Sequence, residues 1–71
     1  MLELSLREVR EQTLSRVERA YLVAQLEASQ GRIGVAAQRC GLDPRSLYEK
    51  MRRHGLKKED YRPQGRRKRT I

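Results

Sequence analysis

GVAAQRCGLDPRSLYEKMRRHG, residues 34–55, is the stretch on which the fold turns. It reads as two short helices joined by a tight turn, the second studded with cations. Gly41 stands where the first helix must stop, because a residue without a Cβ adopts the left-handed conformation that closes a helix. Two residues later Asp43-Pro44 is a start signal. The Asp43 carboxylate caps free N–H groups, and proline has its φ preset and no donor to lose at the first helical position. Helix, glycine turn and capped helix in so short a span is a helix-turn-helix.

Within the stretch, Gly34 is expected at the N-cap of the first short helix, and the Ala36-Ala37 pair lets the two helices approach closely. Cys40 is read as a small buried hydrophobe. Leu42 fills the turn from inside, and Leu47, Met51 and Tyr48 are expected to point into the core. Arg45, Ser46, Glu49, Lys50, Arg52 and Arg53 remain outside. Helix-turn-helix proteins read bases mainly from the N-terminal part of the second helix. Arg45, Ser46 and Glu49 are therefore the expected base contacts: arginine binds guanine O6/N7 in bidentate fashion and a carboxylate accepts from cytosine N4. Lys50, Arg52 and Arg53 are expected to grip phosphates, and Lys57 just beyond joins the DNA-contacting set. His54 reads as a polar cap at the helix end.

Upstream, Ser5 and Glu8 form an S-x-x-E capping box, and no proline or glycine interrupts the chain from there to Ser29. A long first helix follows, with Leu6, Val9, Thr13, Val17, Ala20 and Ala24 as one stripe. From Ala20 to Leu26 it is apolar almost all round, so it needs cover on two sides. Leu22, Leu26 and Ala20 are expected to pack on the short helices, while Leu14, Val17, Tyr21 and Val23 need a partner; exchange of the two roles is left open. A second copy of the chain is the simplest partner, and Val9, Leu14, Val17 and Tyr21 are the expected dimerisation residues. Gly31 is expected as the residue that ends this helix, and Ile33 as a core anchor at the corner.

The whole chain has 71 residues and a net charge of +8, with three tyrosines as its only aromatics. A chain this short buries only about 60% of its unfolded surface, so a lone copy is marginal. The excess charge is concentrated: residues 43–71 hold eleven Lys/Arg against four acids, whereas residues 1–31 balance to −1. A polyanion is the implied partner, and the coincidence of the charge with the second helix favours double-stranded DNA. One cysteine and one histidine exclude an internal disulfide and a structural zinc site. No secretory h-region or long apolar run appears, so no membrane association is expected and a cytoplasmic setting fits. No catalytic constellation, metal set or cofactor motif converges, so an enzyme is not expected. The division expected is a DNA-binding and dimerisation domain over 1–62 and a basic disordered tail over 63–71, with four consecutive cations at 66–69.

The run LEASQGRIGVAAQRCGLDPRSLYEKMRRHGL resembles the Fis-type helix-turn-helix. Gly31, Ala36, Ala37, Gly41, Leu42, Pro44, Leu47, Tyr48, Lys50, Gly55 and Leu56 match its pattern, and Ser46, Asp43 and Met51 replace threonine, serine and leucine. The resemblance is closest over residues 14–56. Three positions depart from it: Arg32 stands for asparagine, Gly34 for serine or threonine, and Glu49 where a cation is common. What the resemblance implies is an all-α, intertwined symmetric dimer in the bacterial cytoplasm, associated with the nucleoid, with two recognition helices in successive major grooves of a palindromic site. It is most similar to the C-terminal domain of NtrC-like, sigma-54-dependent activators and response regulators, whose separate ATPase domain is absent here. A Fis-like architectural protein that bends DNA, and a basic RNA- or protein-interaction module, are the alternatives.

Overall fold

The computed structural model describes residues 3–63, and the basic run expected as a tail lies outside them. Three α-helices follow in order, α1 (Leu6–Ala28), α2 (Ile33–Cys40) and α3 (Pro44–His54), then a single 3-10 turn, Lys58–Tyr61. No strand occurs among the described residues.

Helix α1 begins as its sequence requires. The Ser5 hydroxyl accepts from the Glu8 N–H at 3.1 Å while the Glu8 carboxylate accepts from the Ser5 N–H at 2.9 Å, so two orphan donors are satisfied reciprocally. Helix α3 begins with Asp43 as N-cap and Pro44 in its first turn, as expected. Helix α2 differs. Its N-cap is Arg32, which offers no side-chain bond, and Gly34 lies inside the first turn. Ile33, drawn onto the core, starts the helix two residues before the expected position, and the Ala36 N–H closes onto the Arg32 carbonyl at 2.9 Å.

All three helices end in one way. Each last turn closes with a paired bond set, the outer N–H reaching back five residues and the inner one three. Gly31 and Gln30 donate to Leu26 and Glu27, Leu42 and Gly41 to Ala37 and Gln38, and Leu56 and Gly55 to Met51 and Arg52, at 2.8–3.2 Å. This is the Schellman ending. In α1 the left-handed residue just past the end is Gln30, at φ 56°, and Gly31 follows at φ 78°. The expectation of Gly31 in that first position is therefore off by one. Gly31 is required for another reason: a Cβ there would lie 2.6 Å from the Lys58 carbonyl oxygen, so the 3-10 turn closes onto bare backbone.

The core is one cluster of Leu22, Leu26, Ala36, Ala37, Leu47, Met51 and Leu56, with Val23, Ile33, Cys40, Leu42 and Tyr61 packed against it. Leu22 and Leu26 face the short helices as expected. Ala20 is exposed and Val23 is half-buried against the core, reversing their expected sides, because about 100° per residue turns Val23 and Leu22 toward one flank and Ala20 away. The Ala36-Ala37 pair is fully buried and lets α1 and α3 each pack closely on α2. The first half of α1 has no such cover: Leu14 and Val17 are 69% and 60% exposed, with Leu6 and Tyr21 also exposed. No described helix is long and apolar enough to cross a membrane.

Candidate nucleic-acid interface

Helix α3 is held from below and open above. Leu47 and Met51 are buried, and His54 completes that line, its side chain only 4% exposed. Positions 45, 49 and 52 therefore cluster on the opposite side at about 100° per residue, with 53 on one flank and 48 on the other. Arg45, Glu49, Arg52 and Arg53 are exposed. Among the described residues none of the four has a side-chain hydrogen bond or ion pair within the chain.

The cap that starts this helix also restrains one expected contact. Asp43 Oδ2 accepts from the Ser46 N–H at 3.4 Å, and the Ser46 hydroxyl donates to Oδ1 at 2.7 Å. The hydroxyl is the main reason that the Asp43 carboxyl is held below its ordinary pKa, which keeps a negative charge at the helix N-terminus, where it is favourable. Ser46 is thus half-buried and engaged by its neighbour.

Lys50 stands apart from the other cations. It is half-buried, and its Nζ lies 2.7 Å from Glu18 Oε2 on α1. The other oxygen of Glu18 accepts from His54 Nε2 at 3.2 Å. Hydrogen bonding to Lys50 first, and to His54 second, holds the Glu18 carboxyl below its ordinary pKa. The next residue, Arg19, reaches the His54 carbonyl at 3.4 Å. His54, expected as a polar cap at the helix end, is thus also a bridge between helices. Neither Glu18 nor Arg19 stood out in the sequence, because a charged residue on a charged half-helix carries no local mark of a partner some 35 residues away.

Tyr48 is 43% exposed, contrary to its expected place in the core. Its angular position beside Leu47 puts it on the flank of α3, where its hydroxyl accepts from Lys58 Nζ at 3.1 Å. The same ammonium sits 5.8 Å from the ring centroid, within cation–π range. Lys57 is exposed beside them. Tyr48, Arg52, Lys57 and Lys58 line a shallow open groove between α3 and the 3-10 turn. On α2, the Arg39 Nε donates to Gln25 Oε1 at 2.8 Å and ties that helix to α1. Burial pushes the Cys40 thiol above its ordinary pKa, so it stays protonated and unreactive near neutrality. No group of three or more metal-ligating side chains occurs among the described residues.

Of the expected dimerisation residues, Leu14, Val17 and Tyr21 fall on one side of α1 and are exposed, while Val9, about 80° or more round the helix from them, is half-buried. Leu14, Val17 and Tyr21 share a shallow groove with Glu18, Lys50 and Arg53. The structure thus brings the two surfaces side by side, joined through Glu18.

Residues 13–54 match the model of a family described as bacterial regulatory protein, Fis family. The match runs from the middle of α1 to the last residue of α3. No curated protein and no solved structure matches the chain.

Proposed function

The chain belongs to the Fis family of bacterial regulatory proteins, and from that premise we propose that it is a sequence-specific, dimeric DNA-binding domain of a bacterial transcription regulator. Helix α3 enters the major groove. Arg45, Ser46 and Glu49 face base edges, while Arg52, Arg53 and Lys57 lie along the phosphates, with Lys50 beside them on the α1 side. The observation that carries this reading is the outward face of α3: a helix capped at its start and anchored by Leu47 and Met51 presents Arg45, Glu49, Arg52 and Arg53 without intramolecular partners among the described residues. Cations left unpaired on a rigid, capped helix are what phosphate and guanine recognition needs.

The dimer in this proposal forms through Val9, Leu14, Val17 and Tyr21, and the exposed apolar surface of Leu14, Val17 and Tyr21 supports it. Residues 1–62 act as one unit in it. The sequence pattern further supports a place at the C-terminus of an NtrC-like, sigma-54-dependent activator, with an ATPase domain elsewhere in the parent protein. Such a unit would work on the nucleoid in the cytoplasm, with no catalysis of its own.

Selection of bound duplexes from a random pool tests this directly. The expected result is one palindrome with half-sites about a helical turn apart. Binding with no enriched sequence, collapsing as salt rises, would replace it with the architectural reading. Equal competition by single-stranded RNA or heparin would point to the interaction-module reading. Arg45→Ala is expected to relax preference at one base position by about 1–3 kcal/mol, whereas Arg52→Ala weakens all sequences alike.

A further inference from the structure

We propose that Glu18 is a positioning residue for α3, and that by pairing with Lys50 it withholds that cation from the DNA phosphates. The inference rests on the DNA-binding reading above and deepens it.

Glu18 is the one α1 side chain that touches α3 through charge at two points. Its carboxylate meets Lys50 at 2.7 Å and His54 at 3.2 Å. Those two are four residues apart, so one carboxylate spans a full turn of α3 and fixes both its rotation and its height against α1. A carboxylate is acceptor-only, so the His54 ring donates from Nε2. Arg19 then takes the His54 carbonyl, which places a cation at the negative end of the α3 dipole. Side chain and main chain of the last turn are thus both held from adjacent residues of α1.

The cost falls on Lys50. Arg45, Arg52 and Arg53 are exposed, whereas Lys50 is half-buried and turned toward α1. An ammonium already bonded to a carboxylate releases no counterion when a phosphate arrives, unless that bond breaks. Each phosphate neutralised steepens the dependence of log K on log[salt] by about 0.9. Glu18 therefore trades one phosphate contact per protomer for a fixed helix orientation.

The test measures affinity for the selected duplex between 50 and 200 mM salt with the full chain and the variants Glu18→Gln, Lys50→Met and the double variant. In Glu18→Gln the freed lysine is expected to steepen the slope by about 0.9 per protomer, an added loss of about 3.5-fold for each protomer and about 12-fold for a dimer across that range. The double variant is expected to lose that increment. A Glu18→Gln slope equal to that of the unaltered protein overturns the proposal, as does an increment that survives in the double variant. A Lys50→Met change that flattens the unaltered protein's slope by a full unit also overturns it, since Lys50 would then reach phosphate with Glu18 in place. Thermal unfolding of the same proteins, without DNA, separates this from failure of the underlying reading. Loss of this clamp is expected to lower Tm by roughly 2–6 °C in Glu18→Gln, with Lys50→Met adding little on top; fully additive losses overturn it. Absence of duplex binding by the unaltered protein would overturn the DNA reading and the withholding role together, and the unfolding arm would still decide the clamp.

Discussion

The two halves of α1 share one backbone and live in opposite surroundings. From Leu22 onward the helix supplies two of the three largest fully buried side chains among the described residues, Leu22 and Leu26, and meets α2 and the 3-10 turn. Before Glu18 it carries Leu6, Leu14 and Val17 into solvent and is sustained by local devices, the Ser5/Glu8 box and an exposed Arg7–Glu11 pair at 3.5 Å. Such devices contribute a few tenths of a kcal/mol to about 1 kcal/mol each, too little to hold three turns of helix against fraying. One half is therefore folded by its own chain. The other is only templated by it, and its apolar side chains await cover from a second copy under the proposed dimer.

The sharpest way to break this contrast is to truncate one leucine in each half. Leu26→Ala should cost about 2–5 kcal/mol and abolish a cooperative denaturant transition in a domain this small. Leu14→Ala, measured by the same circular dichroism at low concentration, should cost under about 0.5 kcal/mol. Equal losses would show that the first half is already packed. Gly31→Ala comes next, at about 2 kcal/mol, since the new methyl meets the Lys58 carbonyl in a left-handed conformation; loss of the 3-10 turn by NMR should accompany it. Val17→Glu should leave unfolding of the dilute protein within about 0.5 kcal/mol while removing any concentration dependence of Tm. The smallest expected effect is a gain: Gly34→Ala, with open space around the site, should add about 0.5 kcal/mol through helix propensity.

Acid probes the joint between the halves. The Glu18 carboxyl is held below its ordinary pKa by Lys50 and His54. A depressed carboxylate contributes stability above its unfolded pKa and loses it as pH falls through the folded one. Stability should thus decline as pH drops from roughly 5 toward 3, and the Glu18→Gln variant should show a shallower decline.

Legibility in the sequence followed the range of the interaction. Signals made within a few residues were readable: Ser5 and Glu8, Asp43 and Pro44, Gly41 and Gly55, and the inward Leu47 and Met51. Each is a local rule of backbone donors or helical period. Where two local rules met, tertiary contact decided. Gly34 was a reasonable cap, yet burial of Ile33 started α2 earlier. Tyr48 is apolar enough for a core and polar enough for a flank, and Lys58 took its hydroxyl outward. Long-range polar contacts were invisible. Nothing near Glu18 marks it as the partner of Lys50 and His54, and nothing near Tyr61 marks its packing on the core. The outward face of α3 was readable as a face, because its period is local; the withdrawal of Lys50 from that face was not.

The three helix endings have a consequence for how such a protein changes over generations. Each stop is made by main-chain donors and acceptors at Gln30-Gly31, Gly41-Leu42 and Gly55-Leu56, and each of the two short helices is anchored by inward side chains. The side chains of Arg45, Glu49, Arg52 and Arg53 take part in none of this. Those four positions can be rewritten while the frame stands still, so under the proposed DNA-binding role a new target preference would be reachable by single substitutions that leave folding intact. The molecule separates its grammar from its vocabulary, and a library randomised at those four sites should be mostly folded and variously addressed.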